Sequence, residues 1–203
     1  MSASGPSKVM HMLTAITELR YCIGVLLAGG QSRRMGCDKA LLDWSGRPLI
    51  EHQLATLRAA GVDVLQVSGT RPDYDGIPDR QPQRGPLMGL ISVMATFPED
   101  DCDLLVMPVD MPHLTAALLR RLRCEQPTAP SLRFVDQVLP WRFHLDTASR
   151  TVLAELAWRD ESRSRSLRAA QQAMLTEELP LSLVEATQLV DCNTPERWSE
   201  VIS

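Results

Sequence analysis

An apolar run, Ile23-Gly24-Val25-Leu26, leads directly into Leu27-Ala28-Gly29-Gly30-Gln31-Ser32-Arg33-Arg34-Met35-Gly36-Cys37-Asp38-Lys39. The run reads as a buried strand bounded by glycines. Paired glycines at a strand end let bare backbone N–H groups approach a ligand, because no Cβ stands in the way. Arg33, Arg34 and Lys39 then add fixed positive charge close by. Backbone donors beside guanidinium and ammonium groups are what a polyphosphate requires. The stretch reads as a phosphate-binding loop; the competing reading is a glycine-rich surface turn with incidental charge.

Neither of the two commonest phosphate loops fits. A Walker A loop needs Gly-x-x-x-x-Gly-Lys followed by Ser or Thr, whereas Lys39 stands three residues past Gly36 and precedes Ala40. A Rossmann fingerprint needs Gly-x-Gly-x-x-Gly opening into a helix, and that spacing is missing too.

Helical spacing of Ile50, Leu54, Leu57 and Ala60 predicts a helix from Leu49, capped by Gly61, followed by a strand over Val62 to Val67. Arg71 to Arg84 reads as an irregular excursion, with Ile77-Pro78-Asp79 a very short strand. Gly85-Pro86 opens a helix running to Thr96, and Leu104 to Met107 is the best central strand. That strand ends in Pro108-Val109-Asp110-Met111-Pro112, where a carboxylate sits just off the carboxyl end of a buried strand. Proteins of the α/β class place their sites there. A helix over Leu114 to Leu122 follows. Strands alternating with helices predict a parallel sheet covered on both faces.

The second half is less regular. Strand segments are expected within Phe134 to Leu145, and helices over Thr151 to Trp158 and Leu167 to Met174. Leu181 to Val184 and Leu189-Val190 read as strands, and Asp191 to Glu196 as a cap-and-proline helix start. Residues 1–20 read as an N-terminal extension and 21–203 as a single domain.

A net charge of −4 argues against a nucleic-acid binder, although arginines gather at 33–34, 120–123 and 159–168. Five scattered cysteines without a Cys-x-x-Cys pair suit a reducing cytosol. No apolar run is long enough to span a membrane. The histidines at 11, 52, 113 and 144 form no cluster, and no Ser-His-Asp or Cys-His pairing stands out.

Leu27-Ala28-Gly29-Gly30-x-Ser32-x-Arg34-Met35-Gly36-x-Asp38-Lys39 is joined by Gly85-Pro86-Leu87-x-Gly89, Pro108-x-Asp110-Met111-Pro112 and Asn193-Thr194-Pro195-Glu196. Together these motifs resemble the molybdenum cofactor guanylyltransferases. The resemblance is strong from Ile23 to about Leu122, returns at Asp191 to Glu196, and is diffuse between. It implies a three-layer α/β/α Rossmann-like nucleotidyltransferase fold with a mostly parallel central sheet. It also implies a cytoplasmic enzyme that uses Mg²⁺ to transfer GMP from GTP to the terminal phosphate of molybdopterin, releasing pyrophosphate. Transient contact with molybdoenzyme maturation proteins would follow.

Position by position, the resemblance implies nucleotide contacts at Leu27, Ala28, Gly29, Gly30, Ser68, Asp79 and Asp110. Arg34 and Lys39 would neutralise phosphate charge, and Asp110 would hold Mg²⁺, with Asn193 completing the metal or phosphate site. The residues alone leave other readings open: Asp110 as the cap of the helix from Leu114, Asn193 as an N-cap, Asp79 as a solvated loop residue. Arg33 is either a further phosphate contact or solvent-exposed. Ser68 stands where the family often carries an asparagine near the base. Trp141 and Arg142 could meet a pterin and its phosphate, or be a core Trp beside a surface Arg. The alternatives to guanylyl transfer are a cytidylyltransferase for the same cofactor, transfer to another phosphorylated acceptor, and a non-catalytic nucleotide-binding maturation partner.

Overall fold

The computed structural model describes residues 19–29, 37–97 and 101–201. Its first half contains β1 (Cys22–Leu27), the paired short strands β2 (Asp43–Trp44) and β3 (Arg47–Pro48), α1 (Leu49–Ala59), β4 (Val64–Ser68), α2 (Pro86–Met94), β5 (Cys102–Pro108) and α3 (Ala116–Cys124). The second half adds β6 (Ser131–Phe134), β7 (Trp141–Leu145), α4 (Thr147–Ala157), α5 (Leu167–Ala173), β8 (Glu177–Leu179), α6 (Leu183–Thr187) and α7 (Pro195–Val201).

Six strands form one sheet in the order β4-β1-β5-β7-β6-β8. β1 lies parallel to both β4 and β5, and β6 parallel to β8, while β7 runs against both its neighbours. The expected mostly parallel sheet is present, with one reversed strand.

Strand alternation sends side chains into two separate cores. Cys22 and Leu26 of β1 join α1 and α3 through Leu57, Leu118 and Leu122 on one face. Ile23 and Val25 join α2, α4 and α5 through Leu90, Leu153 and Leu167 on the other. Burial on both faces is why β1 and β5 read as unbroken apolar runs. The three layers follow directly from that.

The later part of the chain departs from expectation in four places, the first being β6, which ends at Phe134 where the strand segments were expected to begin. Leu181 to Val184 is not a strand: α6 begins at Leu183, with a capping box between Ser182 and Glu185. The reciprocal bonds of that box satisfy helix N–H groups, which outweighs a brief apolar alternation. Leu189 belongs to the turn that follows α6 and Val190 to irregular chain, so neither is in a strand. The edge strand β8 had no apolar signature, because Glu177 and Glu178 are exposed and only Leu179 enters the core. Among the described residues no helix is long and apolar enough to cross a membrane.

Candidate active site

The three parallel strands end level with one another. Leu27 lies opposite Ser68 on one side and Pro108 on the other. The chain leaves β1 for β4 on one flank and returns across it to β5 on the other, so a crevice opens at this edge of the sheet. Just beyond, Ala28 N–H donates to the Ser68 carbonyl at 3.0 Å and Val109 N–H to that of Leu27 at 3.2 Å. Gly29 and Gly69 then meet backbone to backbone: a Cβ on Gly69 would lie 2.5 Å from the Gly29 Cα. Gly69 also has φ +117°, which only glycine adopts without strain. Around this contact lies a cleft of about 980 Å³, bounded by Leu27, Lys39, Ser68, Asp79, Asp110 and Asn193 among others.

At one end of the cleft, charge converges. Lys39 opens a short 3₁₀ turn, and its ammonium donates to Asp110 Oδ2 at 3.4 Å and to Asn193 Oδ1. Asp110 follows β5, and Gln53 of α1 holds the backbone on either side of it. The fully buried Gln53 amide donates to the carbonyls of Val109 at 3.3 Å and Met111 at 2.7 Å. The Asp110 carbonyl accepts from Cys192 N–H at 2.8 Å, which brings the segment before α7 alongside. Trp198 of α7 packs on Trp44 of β2 with ring centres 5.9 Å apart, anchoring that segment from the other side. Burial pushes the Asp110 carboxyl above its usual range, and the Lys39 ammonium pulls partly the other way.

The capping readings of these residues do not hold in the folded chain. Thr115 caps α3, its Oγ1 accepting from Leu118 N–H at 3.3 Å, so Asp110 is left for the cleft. At α7, Thr194 Oγ1 accepts from Arg197 N–H at 3.4 Å, while the Asn193 side chain turns to Lys39.

At the other end, Asp79 follows the single bridge that Ile77 makes with Ser68. Its Oδ1 is buried and has no hydrogen-bond partner among the described residues, and desolvation raises its pKa. Gly89 of α2 leaves room for it, since a Cβ there would stand 2.4 Å from Ser68 Oγ and 3.0 Å from Asp79 Oδ1. A buried acceptor without a donor is costly, so an orphan carboxylate oxygen at a cleft wall suits a ligand that brings donors.

Gly30, Arg33 and Arg34 lie outside the described residues. Of the other expected residues, Leu27, Ala28, Gly29, Lys39, Ser68, Asp79, Asp110 and Asn193 all line the one cleft. Trp141 and Arg142 do not. Trp141 is buried, stacked on Phe143 at 4.3 Å and donating to Ser131 Oγ at 2.8 Å. Arg142 is not on the surface either; it is 1% exposed and donates to the carbonyls of Arg123, Glu125, Gln126 and Ala129. The arginine run on α3 also serves structure: Arg120 donates to the Ala59 carbonyl, and Arg121 pairs with Glu125 and Glu185.

Three residues that sequence reasoning passed over belong to this site. Gln53 and Arg71 reach it from distant positions, with no local pattern to mark them. Asp38 lay inside the loop motif without a role. Arg71 donates to the Ala28 carbonyl and to both oxygens of Asp38.

Comparison with known proteins identifies the family. The family model for the MobA-like NTP transferase domain matches residues 24–175. The chain belongs to this family. It is 48% identical over 191 residues to the molybdenum cofactor guanylyltransferase of Xanthomonas euvesicatoria, covering 92% of this chain and 97% of that one. It is 30% identical to the probable molybdenum cofactor guanylyltransferase of Synechococcus elongatus, over 86% of this chain and 94% of that one. Among solved structures, molybdopterin-guanine dinucleotide biosynthesis protein A from Archaeoglobus fulgidus superposes with a TM-score of 0.69. That pair is 17% identical and covers 88% of this chain and 95% of the other, a likeness of fold. A Mycobacterium tuberculosis protein solved as a manganese complex gives 0.59 at 21% identity, over 90% and 98% of the two chains.

The donor set of this MobA-like NTP transferase is compatible with a hard divalent cation. Asp110 and Asn193 present oxygens to one point, now shared by the Lys39 ammonium. Among the described residues no group of three or more His, Cys, Asp or Glu could cage a metal by itself. Magnesium-type sites commonly use one or two protein oxygens and complete the shell with substrate phosphates and water.

Proposed function

We propose that this MobA-like NTP transferase is a molybdenum cofactor guanylyltransferase of the cytoplasm, folded as one domain over residues 21–203. It moves GMP from GTP to the terminal phosphate of molybdopterin, with pyrophosphate as the leaving group. The observation that carries this reading is the meeting of Lys39, Asp110 and Asn193 at the strand ends beside the glycine loop. In-line transfer at an α-phosphorus needs positioning and charge neutralisation more than a covalent protein group.

Lys39 takes up negative charge as it builds on the departing pyrophosphate, and Arg34 is its proposed partner in this. Leu27, Ala28, Gly29 and Gly30 offer backbone to the nucleotide, with the Gly29–Gly69 contact keeping side chains out of the way. Asp110 and Asn193 are the proposed holders of Mg²⁺, which when bound would neutralise phosphate oxygens that protein cations do not reach. The acceptor phosphate is the nucleophile, so no side chain has to form a bond to phosphorus.

Asp79 is the proposed selector of the base. Guanine presents two donors on one edge, N1–H and the 2-amino group, and a carboxylate can accept both. Cytosine presents only its 4-amino group there. Ser68, buried at 2% exposure beside Asp79, is close enough to take part.

The test is direct. Purified protein given Mg²⁺, molybdopterin and each ribonucleoside triphosphate in turn should release pyrophosphate with GTP. Release with CTP instead would establish the cytidylyl alternative, and none with any nucleotide would overturn transfer to molybdopterin and favour the maturation-partner reading over transfer to another phosphorylated acceptor. Asp79→Asn should shift the preference of GTP over XTP by at least ~100-fold towards XTP. Xanthine carries an acceptor in place of the 2-amino group, and an amide can donate to it. An unchanged GTP to XTP ratio would remove Asp79 from the base site.

A further inference from the structure

The guanidinium of Arg71 reaches the phosphate loop from outside it. Nε and Nη2 donate to the Ala28 carbonyl at 3.1 and 2.9 Å, and Nη2 donates to Asp38 Oδ1 at 2.8 Å. Nη1 donates to the other carboxylate oxygen, Asp38 Oδ2. One planar group therefore grips the chain just before the loop and again just after it. The pair is largely enclosed on the arginine side, with the Arg71 side chain 13% exposed and that of Asp38 36%.

Asp38 passes the constraint on. Its Oδ1 also accepts from Ala40 N–H at 3.1 Å, capping the 3₁₀ turn that begins at Lys39. A carboxylate fixed between a guanidinium and a backbone N–H sets the direction in which the next side chain leaves. That side chain is the Lys39 ammonium, held between Asp110 and Asn193.

We propose that Arg71 is a positioning residue for nucleotidyl transfer, a staple that joins the two ends of the glycine loop and, through Asp38, aims Lys39. The inference rests on the reaction proposed above and adds to it a residue without a direct part in the chemistry. Arg71 already has a carboxylate and a carbonyl on its two edges, so its charge is neutralised locally rather than aimed at substrate. Those same bonds hold the Asp38 carboxyl below its usual range. An ammonium is a point donor and cannot span the carbonyl and both carboxylate oxygens in one plane, so lysine is a poor replacement. Arg71 also borders the cleft, and the rival role is direct contact with a nucleotide phosphate.

A double-mutant cycle separates the two roles. Arg71→Gln, Asp38→Asn and the double variant are compared by pyrophosphate release and by thermal unfolding, with Arg71→Lys as the conservative control. Asp38→Asn keeps an acceptor for Ala40 N–H while removing the ionic partner. Each single variant should lower kcat about tenfold to fiftyfold with the nucleotide KM within about threefold, and the double should lie within about twofold of the worse single. Arg71→Lys should resemble Arg71→Gln. Losses that multiply, or that fall mainly in KM, would overturn the staple in favour of phosphate contact. Unfolding temperatures that fall in step with kcat would overturn it in favour of a merely structural bond.

A second readout needs no reaction. The rate of trypsin cleavage after Arg33 or Arg34, followed by mass, should rise in each single variant and rise no further in the double. If wild type released no pyrophosphate with any nucleotide while this coupling appeared, the reaction would fall and the staple would stand. An active wild type with additive cleavage rates would overturn the staple alone.

Discussion

Lys39→Ala and Asp110→Asn are each expected to lower turnover at least ~100-fold while the chain stays folded. The two residues face each other at 3.4 Å where Asn193 also converges. Removing the ammonium deprives the departing pyrophosphate of a fixed positive charge. Removing one carboxylate oxygen halves the hard acceptor offered to a divalent cation. Neither change opens a cavity in the two apolar cores, so the loss should appear in kcat rather than in the yield of folded protein.

Stability should move the other way for Asp110→Asn. Burial raises the Asp110 pKa despite Lys39, which means the folded chain holds this charge at a cost. For a carboxyl whose folded pKa is raised, its contribution to stability is greatest below the unfolded pKa and is lost as pH rises through the folded value. Asp110→Asn should therefore unfold at an equal or higher temperature than wild type at neutral pH. The advantage should vanish as pH is lowered into the ordinary carboxylate range. Thermal unfolding as a function of pH checks this, and a destabilised variant at neutral pH would show that the Lys39 pairing outweighs desolvation. A site that trades stability for charge placement is common at catalytic centres.

Arg142→Met is expected to destabilise the fold by about 3 kcal/mol or more while leaving activity per folded molecule unchanged. Arg142 gathers four carbonyls from residues 123–129, at 2.8 to 3.1 Å, and so ties the loop after α3 to β7. A methionine fills similar space and supplies no donor, leaving the buried Ala129 carbonyl without its guanidinium partner and the three part-buried carbonyls without theirs. The relief of desolvating the guanidinium, evident in its lowered pKa, offsets only part of that loss. In a chain of this length each kcal/mol moves the unfolding midpoint by roughly 2–4 °C, so a fall of about 6–12 °C is the signal. Arg142→Lys, with three donors and no planar fork, should fall between the two. A midpoint within about 2 °C of wild type would show that the carbonyls find other partners.

The two outcomes bear on how much of the site was readable in advance. Lys39 and Asp110 stand out from local context, a cation after a glycine loop and a carboxylate off the end of a buried strand, whereas Asp79 and Asn193 were marked only by the resemblance to the guanylyltransferases. Those cues are short-range, and chemistry that uses strand ends leaves them within a few residues of each strand. Arg142 was read as a surface or acceptor-facing side chain because charged residues are seldom fully buried. What buries it is a segment that turns four carbonyls, of Arg123, Glu125, Gln126 and Ala129, towards its guanidinium, and that is invisible until β7 is paired. Arg71 and Gln53 were missed for the same reason. Their partners lie 33 to 58 residues away, across a strand or a helix.

By itself the order of residues determined the layers of this protein. Apolar runs of strand length, helices with one apolar face and glycines at turns make a three-layer α/β sheet the way to bury both faces at once. Local sequence also determined which residues end up at the carboxyl edge, because each follows a strand or opens a helix. Only the tertiary structure decided their roles. Whether Asp110 and Asn193 cap helices or face Lys39 depended on Thr115 and Thr194 taking the caps first. Whether Arg142 meets a ligand or a loop depended on the antiparallel pairing of β7 between β5 and β6. Hydrogen-bond partners are shared out among groups far apart in the chain, and that competition is settled only when the chain has folded.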